Sequence, residues 1–223
     1  FYQNQCITII GSNGKSTYCQ LLSEVLKKDG LDVKLAGNIG CPILSIKNIK
    51  KKSIFVIEAS SYQLDYSKLF KAKYAAILNI SPDHLERHKT LKNYINAKFK
   101  LIQNQKKGSV AFINKYDKHL KKNLKNNKHK SKIIKIETIL DNRIINTFQN
   151  NYFLSVSNKE NLSFVIQIAK KLKVNKNSLV EAIKNFKGLK YRQQIIFDNK
   201  NISIINDSKS TSYSSSIEIL KKT

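Results

Sequence analysis

The run CITII, residues 6–10, passes without a break into GSNGKST and then into YCQLLSEVLKK. Five residues, four of them apolar, ending at a glycine turn suit a strand buried on both faces. The next stretch carries Leu21, Leu22, Val25 and Leu26 on one helical face between Lys15 and Lys28, and Gly30 is placed to end it. A strand, tight turn and helix in immediate succession begin a βαβ unit, whose second strand lies parallel to the first. DVKLA, SIFVIEAS, AAILNI and SVAFIN read as further strands, and KIIKIET and NYFLSVS as later ones. Thr90 is placed to cap a helix from 91 to about 105, and two more helices are expected near 161–173 and 178–185. The alternation predicts an α/β fold: a mostly parallel sheet flanked by helices on both faces.

Two stretches depart from the alternation. Residues 115–132 are rich in Lys and Asn and read as a solvated helix or loop. GLKYR, residues 188–192, breaks the pattern; after it QQIIF and ISIIN read as two strands about the turn DNKN, and Ser215 with Glu218 has capping-box spacing. A boundary near Gly188 therefore divides 1–187 from 188–223. Methionine is absent, Phe1 opens the chain and the closing stretch is short. A segment of a longer protein is expected.

The net charge of +26 raises nucleic acid as a partner, but only Arg87, Arg143 and Arg192 among the 41 basic residues are arginines. Base readout and bidentate phosphate contacts favour arginine, and no nucleic-acid-binding motif accompanies the lysines. They read as solvated surface. No apolar run approaches the ~20 residues that span a bilayer, so no membrane partner is expected. Cys6, Cys19 and Cys41 lack metal spacing and read as reduced thiols in the cytoplasm.

GSNGKST ends like a phosphate loop, yet two residues separate Gly11 from Gly14 where the usual motif has four. Amides and helix dipole after a buried strand suit phosphate oxygens. Lys15 would reach the β- and γ-phosphates and the Ser16 hydroxyl a Mg²⁺ ion. Glu58 closes a buried strand, where an acid either holds Mg²⁺ or caps the next turn. Asp83, His84, Glu86 and His88 cluster after the next strand and suggest a metal or a general base. Lys98 falls on the apolar side of its helix, where snorkelling is the simpler explanation. Asp207, Ser208, Lys209, Ser210 and Thr211 follow a buried strand as a polar cluster or a turn with a helix cap.

Six stretches stand in order: GSNGKST, GNIGCP, EASSYQL, NISPDHLERH, YINAK and NDSKST. Together they resemble the ATP-dependent Mur ligases of cell-wall precursor synthesis, whose phosphate loop has the form G-T/S-N-G-K-S/T. The resemblance is tightest to the branch that adds D-glutamate to UDP-N-acetylmuramoyl-L-alanine. It implies three domains, with 1–187 the central ATP-binding domain and 188–223 the opening of a Rossmann-like C-terminal domain. The UDP-binding domain would precede them. It also implies an acyl phosphate, made from ATP and then attacked by the amine of D-glutamate, in a monomeric protein.

Residue by residue, the resemblance assigns ATP to Gly11, Ser12, Asn13, Gly14, Lys15, Ser16, Thr17, Asn158, Arg192 and Asp207. It assigns two Mg²⁺ ions to Ser16, Glu58, His84 and Lys98, the last as a carbamate. Catalytic roles fall to Lys15, His84, Lys98 and Lys209. Substrate contacts fall to Asn38, Ser60, Gln63, Lys209 and Thr211. There are departures: Ser155 and Ser157 stand where the family has a glycine and a histidine before Asn158, Tyr191 replaces a histidine, and Ser212 an asparagine. Two alternatives share features, a sister ligase such as folylpolyglutamate synthase and a basic nucleic-acid-binding module. GNIG and SSYQL argue against the first.

Overall fold

The computed structural model describes residues 5–199 and 201–210. Six strands form one parallel sheet: β1 (Cys6–Ile10), β2 (Val33–Gly37), β3 (Ile54–Glu58), β4 (Tyr74–Ile77), β5 (Val110–Asn114) and β6 (Lys132–Ile136). Their spatial order is β2-β3-β1-β4-β5-β6. β1 and β5 are buried at every position, which is why their sequences are nearly all apolar. β6 lies at one edge, and its Lys132 and Lys135 are exposed there.

The helices are α1 (Lys15–Lys28), α2 (Ser61–Tyr66), α3 (Leu85–His88), α4 (Leu91–Gln103), α5 (Lys118–Asn126), α6 (Asn142–Asn146), α7 (Val156–Lys171) and α8 (Lys176–Asn185). Tyr18, Leu21, Leu22 and Val25 of α1 share one core with Leu162, Phe164, Val165 and Ile168 of α7 and with Ile183 of α8. Leu64 of α2, Tyr94, Phe99 and Ile102 of α4 and Leu120 of α5 fill a second core, with Ala75 and Ile77 of β4. The sheet is thus covered on both faces, and each fully buried Leu, Ile or Phe contributes about 1.5–3 kcal/mol. No described helix is long and apolar enough to cross a membrane.

Local chemistry sets the helix ends. Thr90 accepts from the Asn93 amide at 3.1 Å and starts α4, which stops at Gln103, two residues short of expectation. Asp117 caps α5, so residues 115–132 contain a helix anchored by the fully buried Leu120.

One expected strand is absent. NYFLSVS forms a 3₁₀ turn (Asn151–Leu154) and the start of α7. Asn150 accepts from the Tyr152 amide at 3.0 Å, and its Nδ2 donates to the Ile183 and Phe186 carbonyls at the end of α8. Ser155 then caps α7 through the Asn158 amide. These side chains satisfy the backbone locally, so no sheet partner is needed. α7 accordingly begins at Val156 and α8 at Lys176, each earlier than the apolar pattern indicated.

β7 (Gln194–Asp198) and β8 (Ser203–Asn206) form a separate antiparallel pair about the expected turn, where Asn199 accepts from the Asn201 and Ile202 amides. The Ser215–Glu218 cap lies outside the described residues.

Candidate functional site

β1 is central, with Ile9 opposite Glu58 of β3 on one side and Ile10 opposite Ile77 of β4 on the other. Strand order reverses across β1, and ligands of open α/β sheets bind beyond the carboxyl ends at such a point. The phosphate loop, Glu58 and the 79–84 segment all emerge there. They line a cavity of about 250 Å³.

Gly14 closes the loop with a φ of 80° and caps α1 without any side-chain hydrogen bond. The first-turn amides therefore have no intrahelical partner and point out of the helix with its positive end. A Cβ on Gly14 would lie 2.6 Å from Asn161 Oδ1. Lys15 folds back, its Nζ donating to the Gly11 and Ser12 carbonyls at 2.9 Å each. Burial pulls its pKa below the usual lysine value, and Glu58 and Asp83 oppose that shift. The Ser12 hydroxyl donates to the Ser81 carbonyl at 2.9 Å and lies 3.1 Å from Tyr94 Oη.

Glu58 is 4 % exposed, and its Oε2 has no hydrogen-bond partner. Burial raises its carboxyl pKa, against a hydrogen bond from Ser16 and the charge of Lys15. Gln193, across the cavity, likewise buries an unpartnered Oε1. Gly37 brings β2 close enough for Asn38 to donate its amide to the Glu58 carbonyl at 3.0 Å, which sets Asn38 in the cavity wall.

His84 takes a left-handed φ of 52° and presents its ring 3.4 Å from Asp83 and 3.6 Å from Glu86. His88 stays near His84, both against the Tyr62 ring, but its Nε2 lies 2.9 Å from Ser61 Oγ and its ring stacks on Tyr62. Burial lowers the His88 pKa. Among the described residues no three His, Cys, Asp or Glu side chains converge as a metal cage. The Glu58–Ser16 pair, with its spare carboxylate oxygen, instead suits Mg²⁺, which takes one or two protein ligands plus waters and phosphate oxygens.

Ser12, Asn13, Gly14, Lys15, Ser16, Thr17, Asn38, Glu58, His84, Asn158, Arg192 and Asp207 all line the one cavity. Gly11 lies behind the loop, packed on Leu78. Lys98 lies away from the wall and does not snorkel; it is 1 % exposed, with its Nζ 4.3 Å from the Tyr94 ring centre. Burial holds its pKa well below the lysine norm, and Lys15 pushes the same way. Ser60 and Gln63 are also off the wall and form the reciprocal capping box of α2. Lys209 is exposed, over the Tyr191 ring. Thr211 lies outside the described residues.

Three wall residues were missed in the sequence. Asn161 sits one turn after Asn158 on α7, and that i, i+3 spacing was the available signal. Tyr152 hydrogen-bonds Thr17 and Asn158 from within the run read as a strand. Gln193 carries no sequence signal.

Residues 9–180 match the sequence profile of the Mur ligase middle domain. The chain is 36 % identical to the UDP-N-acetylmuramoylalanine–D-glutamate ligase of Rickettsia bellii, over 96 % of this chain and 52 % of that protein. It is 34 % identical to the same-named ligase of Pseudothermotoga lettingae, over 98 % and 51 %. The chain thus spans about half the length of these relatives. Its fold is shared with the crystal structure of MurF ligase from Thermotoga maritima in complex with ADP, at a TM-score of 0.74, 16 % identity and coverage of 97 % and 57 %. MurC from Thermotoga maritima has a TM-score of 0.68, 19 % identity and coverage of 97 % and 53 %.

Proposed function

The chain belongs to the Mur ligase family through its middle domain, and we propose that it is the ATP-using part of a ligase joining D-glutamate to UDP-N-acetylmuramoyl-L-alanine. The names of the similar relatives support the substrates. The observation that carries the site is Glu58: a buried carboxylate with a spare oxygen, beside Ser16 and Lys15 at the head of an uncapped helix. Residues 1–187 would be the ATP-binding domain and 188–223 the opening of the next.

In this reading the triphosphate rests on the amides of the first turn of α1. Lys15 exchanges the Gly11 and Ser12 carbonyls for phosphate oxygens and cancels part of their charge. Ser16 and Glu58 would hold one Mg²⁺; His84 and a carbamylated Lys98 would support a second. Bound magnesium supplies charge neutralisation at the transferring phosphoryl group. The muramoyl carboxylate oxygen attacks the γ-phosphorus and ADP leaves. The amine of D-glutamate then attacks the acyl phosphate, loses a proton and expels phosphate. Such chemistry needs positioning and electrostatics more than covalent help from the protein. Asn158, which lines the same cavity, would meet the adenine, and Arg192 and Asp207 would meet ATP near the start of the next domain. The acceptor substrates would meet Asn38 in the cavity wall and, outside that wall, Ser60, Gln63 and Lys209; Thr211 completes the proposed set and lies outside the described residues.

The test uses a protein of the relatives' length that carries this chain. Phosphate release from ATP should require both UDP-N-acetylmuramoyl-L-alanine and D-glutamate. Equal release with glycine or L-alanine in place of D-glutamate overturns the assignment.

A further inference from the structure

A phosphate loop with two residues between its glycines is too short to wrap fully on itself. Besides the Lys15 bonds to the Gly11 and Ser12 carbonyls, its shape here is held from outside. Asn79, just past the end of β4, accepts from the Ser12 amide at 3.0 Å and from the Asn13 amide at 2.9 Å, both on Oδ1. Its Nδ2 donates back to the Asn13 carbonyl at 3.3 Å. The Asn79 backbone carbonyl accepts from the Ser12 amide as well, at 3.1 Å. Two residues on, the Ser81 amide donates to Ser12 Oγ at 2.9 Å. One side chain therefore occupies both amides and one carbonyl of the loop's two middle residues.

We infer that Asn79 is a positioning residue: it clamps the loop in its binding shape and leaves the amides from Gly14 onward, not those of Ser12 and Asn13, to hold the anion. This rests on the reading of residues 11–17 as a phosphate site. The physical reasons are two. An amide already turned onto Asn79 is a weaker and misdirected donor to a phosphate. A loop fixed before binding loses less conformational entropy when the ligand arrives, which favours affinity. The arrangement also links the phosphate loop to the Asp83–His84 segment, because the clamp and those residues lie on one short stretch after β4.

The experiment is residue-resolved amide hydrogen exchange on this chain, with and without ADP and Mg²⁺. In the wild type the Ser12 and Asn13 amides should be protected before nucleotide is added. ADP should newly protect the Lys15, Ser16 and Thr17 amides and leave Ser12 and Asn13 as they were. Asn79→Ala should lose protection at Asn13 by about tenfold or more, with a smaller loss at Ser12, whose amide keeps the residue-79 backbone carbonyl, and ADP affinity should fall by about tenfold, as the loss of two to three modest hydrogen bonds would give. Protection at Leu22 and Val25 in α1 should not change, which separates clamp loss from unfolding. Should Asn79→Ala not fold, Asn79→Asp keeps the acceptor and should keep both amides protected.

Free exchange of Ser12 and Asn13 in the wild type overturns the clamp. So does a folded Asn79→Asp that loses their protection, or a folded Asn79→Ala with wild-type ADP affinity. If the wild-type chain binds no ADP, the phosphate-site reading fails, and the clamp is still judged by exchange at residues 12 and 13.

Discussion

The Lys98 ammonium rests 4.3 Å from the centre of the Tyr94 ring, and the Tyr94 hydroxyl lies 3.1 Å from Ser12 Oγ in the phosphate loop. A lysine on the apolar face of α4 is thereby held in the interior, one aromatic ring away from the loop. The ring face partly offsets the cost of burying the charge. It does not restore an ordinary pKa, which stays well below 10.5.

Lys98→Met should stabilise the chain near neutral pH. The sign follows from linkage. The folded pKa is depressed, so between it and 10.5 the unfolded state binds the extra proton and wild-type stability rises with pH. The methionine variant lacks this deficit. Its gain in Tm should be largest below the folded pKa and shrink to nothing as pH approaches about 10.5. The same downward shift favours the neutral amine form that carbamylation requires. Turnover in a protein of the relatives' length should be lost in Lys98→Ala and partly restored by added short-chain carboxylates. Full turnover in Lys98→Ala would contradict the carbamate role.

Glu58→Gln should also trade function for stability. Burial raises the carboxyl above 4.5 in the folded chain, so wild-type stability falls as pH rises from 4.5 through the folded value. Gln removes that loss: its Tm should exceed wild type near pH 7 and match it below about pH 4.5. ADP binding measured with and without Mg²⁺ should lose its metal dependence. Unchanged dependence on Mg²⁺ would rule Glu58 out as the ligand.

Gly37→Ala should be more damaging than Gly108→Ala. Both glycines have positive φ, 106° and 83°, and either substitution meets a backbone cost of order 1–3 kcal/mol. A Cβ on Gly37 would also stand 2.1 Å from the Glu58 carbonyl oxygen, whereas one on Gly108 meets nothing within 4 Å. Denaturant midpoints should therefore fall further for Gly37→Ala, and ADP–Mg²⁺ affinity should fall with them because Glu58 must move. Equal midpoints would show that β2 can shift away at no cost.

Tyr152→Phe should keep the fold and weaken ADP. The ring packs on Phe153 and Phe186, and Gly188 fits beside it only because it has no Cβ. Phe retains that packing and loses the hydroxyl that bonds Thr17 and Asn158 in the cavity. Affinity by calorimetry should drop up to about tenfold, the scale of one modest hydrogen bond. A Tm within about 2 °C of wild type is expected for so small a change. Wild-type affinity would place the hydroxyl outside the nucleotide site.

Much of the site was legible because its parts are local. The strand before GSNGKST, the helix after it and Glu58 at a strand end each follow from apolar runs and their borders, and Thr90 named its own helix start. The failures share a cause. NYFLSVS has the composition of a strand, but Asn150 and Ser155 satisfy its backbone from the side. Asn150 also donates to carbonyls at the end of α8, over 30 residues away, which composition could not reveal. His88 remains a neighbour of His84 across the Tyr62 ring, but its Nε2 lies 2.9 Å from Ser61 Oγ, a partner on another helix that spacing did not indicate.

Composition and spacing by themselves determined the alternating parallel architecture and the glycine turn at the head of the first helix, because burial of a strand on both faces and a glycine before a helix start are properties of neighbouring residues. Only the tertiary structure decided which polar groups face one another. Asn79 on the loop, Tyr152 beneath Thr17 and Lys98 under the Tyr94 ring are pairings between distant segments, set by how the sheet order brings strand ends together and not by any residue's own preference.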